Sequence, residues 1–383
     1  MTNTQFHKLY SYQYLSPKMT TSRNDYLDYL KGLLVLLVVY GHVITYVLYR
    51  EGLHDGPWED PVFKLIYIFH MPLFMAISGF VSHRSIITNT CSKTIARRFS
   101  QLVVPMICWG IIWQSFALIS ELYSHKPGIG AFLYLPIASI KGSLVHWFLW
   151  SVFGSTCIIS LMRVLGMDSR LFIVLVCFII AIFIPDHHLY ALYMFKYMFP
   201  YFCIGYCVSG LNRVLLPLHT RTIIVIVFSL FSLLFYVTWN ADTYVYISAM
   251  DISSANRLNL ILRYTGAVCA SITFVMVTSI LYRRMRIPII SAIGKNSLAI
   301  YILQEYCFHA YFSVANSVPP PKNQQILSLV LAPILAVFLT MAAHIASKWL
   351  CQYPIVGRLL FGNLSRELPR ELERPSGLAL LES

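Results

Sequence analysis

An aspartate, a lysine and a histidine stand at Asp28, Lys31 and His42 in the stretch DYLKGLLVLLVVYGH. On a helix of 3.6 residues per turn these separations bring all three to one face, and a rise of about 1.5 Å per residue carries His42 roughly 16 Å beyond Lys31. A cation at such a foot suits an anionic group, and an imidazole at depth can accept or return a proton. A second histidine, His70, lies in KLIYIFHMPLFMAISGF, two residues before Pro72. The missing N–H of that proline predicts an opened backbone carbonyl nearby. Gln304 and Glu305 lie in SAIGKNSLAIYILQEYCFHAYF. An unpaired carboxylate in hydrocarbon is costly, so Glu305 must be protonated, paired or facing water, with Arg263 one candidate partner. Arg97 and Arg98, in ARRFSQLVVP, suit either a topology determinant or a patch for the phosphates of a nucleotide-bearing donor. His146, Trp147 and Trp150, in KGSLVHWFLW, read as interfacial belt residues or as part of a site.

Metal chemistry finds little support. The nine cysteines form no CxxC pair, fall mostly inside apolar runs and read as packing. His187 and His188 lack acidic or cysteine neighbours at ligand spacing. No glycine-rich phosphate loop, HExxH or GxSxG occurs. Any enzymology must be assembled from isolated polar residues on packed helices.

The elements that would position these residues are membrane helices. Of 383 residues, 57% are hydrophobic and 12% charged, with a mean hydropathy of +0.65. A soluble domain carries about 25% charged residues. The apolar runs are long and continuous rather than alternating, which excludes a β-barrel. The expected fold is all-α, a polytopic integral membrane protein of about ten transmembrane helices, at roughly 31–49, 62–82, 101–121, 144–164, 171–186, 190–210, 222–239, 260–282, 289–313 and 325–349. If these alternate across the bilayer, 21 of the 29 Lys and Arg residues fall on the side holding both ends of the chain and 8 on the other. The excess marks that side as cytoplasmic, so both termini are expected there. It also reads the net charge of +13 as topology rather than nucleic-acid binding.

His42 then lies near the middle of a bilayer about 30 Å thick. His70, entering from the opposite side on the next helix, reaches similar depth. The expected division is an N-terminal cytosolic extension over 1–22, a ten-helix domain over 23–350 and a cytosolic tail over 351–383. Residues 1–22 have no apolar core of a signal peptide, and Met19 is a candidate functional start. Buried His and Glu on ten helices fit an enzyme, and they also fit a proton-coupled transporter or a glycolipid flippase. No inverted repeat or paired broken helices are evident for the latter.

Six stretches in order, DYLKGLLVLLVVYGH, FHMPLFMAISGF, ARRFSQLVVP, HWFLW, MFPYFCIGY and IGKNSLAIYIL, resemble acyltransferase family 3, the integral-membrane acyltransferases of bacterial surface polysaccharides, and most nearly its fucose O-acetylase-like branch. The resemblance implies an O-acyltransferase in the bacterial inner membrane. It would move acetyl from acetyl-CoA, a substrate rather than a bound cofactor, to a hydroxyl of a surface polysaccharide or its lipid-linked precursor. The family's signature basic residue and histidine match Lys31 and His42, with lysine where the broad family has arginine. Gln304 stands where the family often has histidine. On this reading His42 is the general base and His70 orients the acceptor or stabilises the oxyanion. Lys31, Arg97 and Arg98 hold the donor, and Trp147, Gln304 and Glu305 complete the binding residues.

Overall fold

The first helix, α1 (Asp25–His42), begins where the Asn24 side chain accepts from the N–H groups of Tyr26 and Leu27, satisfying two of the donors that every helix start leaves free. It continues as a π-helical segment, Val43–Tyr49. The computed structural model describes residues 24–50, 56–124, 146–184, 192–210, 218–248, 257–315 and 321–362. The expected N-terminal extension with Met19, the pair His187/His188, and the tail beyond Gly362 lie outside the described residues.

The second apolar run is not one helix. It forms α2 (Pro61–Tyr67) and α3 (His70–Thr88), separated by Ile68 and Phe69. The expected effect of Pro72 is therefore displaced: the break lies upstream of it. Pro72 falls in the first turn of α3, where a missing N–H costs nothing.

Next come α4 (Cys91–Arg98), a π-helical segment Phe99–Val103, and α5 (Val104–Ser124). Then follow α6 (Trp147–Val164), α7 (Arg170–Phe183), α8 (Leu192–Ser209), α9 (Leu218–Thr238) and α10 (Arg257–Arg284). The ninth run is also broken, at Asn296, into α11 (Pro288–Lys295) and α12 (Ser297–Ala315). The chain closes with α13 (Gln324–Leu350) and α14 (Pro354–Phe361).

The protein is an all-α, multi-pass membrane protein. Seven helical segments among the described residues are long and apolar enough to cross a bilayer. The other three expected runs fall on α7, α8 and α12, which are shorter or less apolar. Leu171, Phe178 and Phe183 on α7 and Leu230 and Leu234 on α9 are exposed, the surface a lipid-facing helix must present.

Close helix approach relies on small residues, as lipid offers no hydrophobic gradient to drive helices together. A Cβ on Gly79 of α3 would collide with the backbone of Phe202 on α8, and one on Gly205 of α8 with the backbone of Ala76. Gly32 of α1 and Gly294 of α11 meet in the same way. On α13, Ser328, Ala332, Ala336, Thr340, Ala343 and Ser347 are buried at three- and four-residue spacing, giving α1 a flat face to pack on.

Two apolar clusters result. One is built on α3, α6 and α8, with Met75, Ile159, Phe199 and Phe202 at its centre. The other joins α1, α2 and α13 through Leu34, Val35, Phe63 and Ala332. Val38 belongs to the first and Val39 to the second, so α1 forms the seam on which the polar residues lie.

Candidate active site

At the N-terminal end of α1, Lys31 Nζ lies 2.8 Å from Asp28 Oδ1. The shared face expected from the sequence is thus an ion pair, with Asp28 buried at 2% exposure. Lys31 borders a cavity of about 290 Å³, also lined by Arg98, Gln101, Lys295, Ser78 and Ser82. Arg98 donates to Ser82 Oγ at 2.8 Å and to Gln101 Oε1 at 3.4 Å, which holds the guanidinium in place. Arg97 is exposed and does not line this cavity, so the two adjacent arginines part company.

Lys295 was not singled out from the sequence. It ends α11, where the partial negative charge of the helix C-terminus favours a cation. Phe361 and Gly362, at the end of α14, close the same cavity. Trp109 Nε1 ties that helix down by donating to Leu360 O at 3.1 Å.

A second cavity of about 200 Å³ lies toward the opposite end of α1, lined by His42, Tyr46, His70, Trp147 and Glu305, with Trp58, Tyr67 and Tyr246. His42 Nδ1 lies 2.8 Å from Gln304 Oε1 and 3.4 Å from Glu305 Oε2. The Gln304 amide nitrogen donates to Tyr301 O and to Glu305 Oε2, so its oxygen is the acceptor and His42 Nδ1 is the donor. That arrangement leaves Nε2 as the basic nitrogen of a neutral ring. The ring is packed edge-on against Tyr46 and Phe308. The His42 side chain is 19% exposed, more open than a core histidine because it forms the cavity wall. Glu305 therefore meets His42, while Arg263 donates Nε–H to Thr243 O at 2.7 Å.

His70 is 2% exposed, and its Nδ1 lies 2.9 Å from Ile66 O. A carbonyl can only accept, so Nδ1 carries the proton and Nε2 is left with a lone pair. The break at Ile68–Phe69 makes this contact possible, since it frees the Ile66 carbonyl from a full helical ladder. The same carbonyl also accepts from Phe69 N–H at 3.3 Å, so the His70 ring adds a second partner at the break. A neutral His70 accepts a hydrogen bond through Nε2, which fits orienting a hydroxyl and does not fit donating to an oxyanion. Burial pushes the Tyr246 phenol well above its usual range, with the neighbouring Tyr67 and Tyr193 adding to the effect. It stays protonated and can donate into the cavity.

The sequence-derived residues thus divide into two groups. His42, His70, Trp147 and Glu305 line one cavity, with Gln304 behind His42, while Lys31 and Arg98 line the other. The aromatic lining from Trp58, Tyr67 and Tyr246 had no sequence signal beyond general aromatic richness. The π-helical segments begin directly after His42 and directly after Arg98, and such insertions are common at functional sites. Among the described residues no group of three His, Cys, Asp or Glu is placed to hold a metal.

A family model described as an acyltransferase domain matches residues 24–349. Nodulation protein NolL of Sinorhizobium fredii is 29% identical over 297 residues, 75% of this chain and 78% of its own. Nodulation protein NolL of Mesorhizobium japonicum is 29% identical over 306 residues, covering 76% and 78% respectively. No solved structure matches the chain significantly. The match includes both cavities except for α14, which lies beyond its end.

Proposed function

Since the chain belongs to acyltransferase family 3, we propose that this membrane acyltransferase moves acetyl from acetyl-CoA to a hydroxyl of a bacterial surface polysaccharide or its lipid-linked precursor. The observation that carries this reading is His42, held at Nδ1 by Gln304 and Glu305 in a cavity it shares with His70. A sugar hydroxyl is a poor nucleophile at neutral pH, and a base within hydrogen-bond reach removes that obstacle. His42 Nε2 takes the hydroxyl proton as the oxygen attacks the thioester carbonyl carbon. The C–S bond breaks, a C–O bond forms, and the proton passes to the departing CoA thiolate. Glu305 favours the imidazolium that forms between these steps. His70 Nε2 accepts from a second hydroxyl and fixes the acceptor's orientation. The aromatic rings around both histidines suit the apolar faces of a sugar.

On this reading the Lys31 end of the bundle faces the cytoplasm of a bacterial inner membrane, together with both termini. Lys31, Arg98 and Lys295 hold the phosphates of the donor, and the pantetheine arm runs inward toward His42. The acyl group therefore crosses much of the membrane to meet an acceptor on the other side.

Sealed membrane vesicles of the two orientations test this. With radiolabelled acetyl-CoA outside, inside-out vesicles should label their glycan, and right-side-out vesicles should not until permeabilised. Equal labelling in both orientations, or none in either, overturns the reading.

A further inference from the structure

The two cavities have three lining residues in common: Val38 on α1, Met71 on α3 and Tyr301 on α12. All three are buried, at 1%, 5% and 9% exposure. Val38 precedes His42 by four residues, Tyr301 precedes Glu305 by four, and Met71 follows His70 directly. Val38 and Tyr301 thus stand about one helical turn, roughly 6 Å, from His42 and Glu305, Met71 stands about 1.5 Å along α3 from His70, and the three together ring the join between the two cavities. Below it lie Lys31, Arg98 and Lys295, and above it the candidate catalytic pair.

We propose that Val38, Met71 and Tyr301 are the passage through which the donor's acyl group reaches His42, and that this ring selects acyl groups by their width. The proposal rests on the acyl-transfer reading above. A donor held by its phosphates below the ring must thread its acyl end through it before the thioester carbonyl meets the acceptor oxygen. A linear chain presents one methylene cross-section at a time. A chain branched next to the carbonyl presents two carbons at once.

The three residues differ in how easily they yield. Tyr301 is pinned by ring contacts with Phe148 at 5.8 Å and His146 at 6.1 Å, and its backbone carbonyl accepts from Gln304. Val38 is stiff at χ1, as β-branched residues on helices are. Met71, unbranched and with three rotatable bonds, is the adjustable member. Enlarging the ring at Met71 or Val38 should therefore relax selection on width more than on length.

The experiment compares butyryl-CoA with isobutyryl-CoA, isomers that differ in branching alone, with acetyl-CoA as reference, in the wild-type protein, Met71→Ala and Val38→Ala. The ratio of kcat/KM for the two isomers does not depend on how much of a variant is folded. A single group's fit in a pocket is worth about 10- to 200-fold. The isobutyryl-to-butyryl ratio should rise by about tenfold or more in both variants, on two different helices. A ratio within about twofold of wild type in both overturns the proposal, even where all three proteins transfer acetyl. Failure of the wild type to use any acyl-CoA would instead overturn the reading of the donor.

Discussion

His42 Nδ1 lies 2.8 Å from Oε1 of Gln304, a contact between α1 and α12 that fixes which nitrogen of the ring carries the proton. Glu305, the next residue, stands 3.4 Å from the same nitrogen. The neutral amide orients the ring and the carboxylate supplies charge. Glu305→Gln should remove the charge and keep the size. The expected result is a fall in kcat of about 10²- to 10⁴-fold, the range seen when a carboxylate behind a catalytic histidine is neutralised. Steady-state kinetics on variants matched for protein level check this; unchanged kcat would detach Glu305 from the reaction.

Gln304→Ala removes the oriented acceptor without changing formal charge. A neutral hydrogen bond contributes about 1 kcal/mol, so kcat should fall by roughly fivefold to tenfold, much less than for Glu305→Gln. Loss of equal size in the two variants would mean that orientation, not charge, is what His42 needs.

Arg97 and Arg98 are neighbours in sequence and differ in place. Arg98 lines the cavity at the Lys31 end of α1 and is held by Ser82 and Gln101, whereas Arg97 is exposed. Arg98→Ala and Lys31→Ala should each raise the KM for acetyl-CoA by about tenfold or more, as expected from losing a charge-assisted phosphate contact. Arg97→Ala should change it by less than about twofold, and Lys31→Arg should retain most donor binding because the charge is kept. Equal effects of the two arginines on KM would refute the division.

Gly362 ends α14 with φ 62°, and a Cβ there would strike the Gln101 backbone. Gly362→Ala combines left-handed strain, about 1 kcal/mol or more, with that clash. It should loosen α14 from the donor cavity. The checks are a lower unfolding temperature, partly restored by acetyl-CoA, and a raised KM for the donor. A variant with both quantities unchanged would show that α14 is not part of the donor site.

Much of the architecture was legible in the sequence because hydrocarbon imposes simple rules. Each expected apolar run corresponds to helical structure, and the spacing put Asp28 and Lys31 on one face, where the structure pairs them, with His42 about three turns further along α1. Pairings between distant helices were harder. Gln304 was legible as a polar residue in a membrane helix and as a departure from a motif, but its direct partnership with His42 spans 262 residues of sequence, which no periodicity encodes. The break before His70 was sought at Pro72, the obvious helix breaker, while the structure puts it upstream, where the His70 ring and the Phe69 N–H both meet the Ile66 carbonyl. Lys295 and Gly362 gave no signal because their importance depends on where α11 and α14 dock.

The central claim, that His42 is the base for acyl transfer to a glycan hydroxyl, is tested most directly by reconstituting wild type and His42→Ala into liposomes with the acceptor glycolipid and radiolabelled acetyl-CoA. The account predicts labelled glycan from the wild type and a rate at least about 10²-fold lower from the variant, at matched protein level and with donor binding retained. Labelling by His42→Ala at the wild-type rate would contradict it.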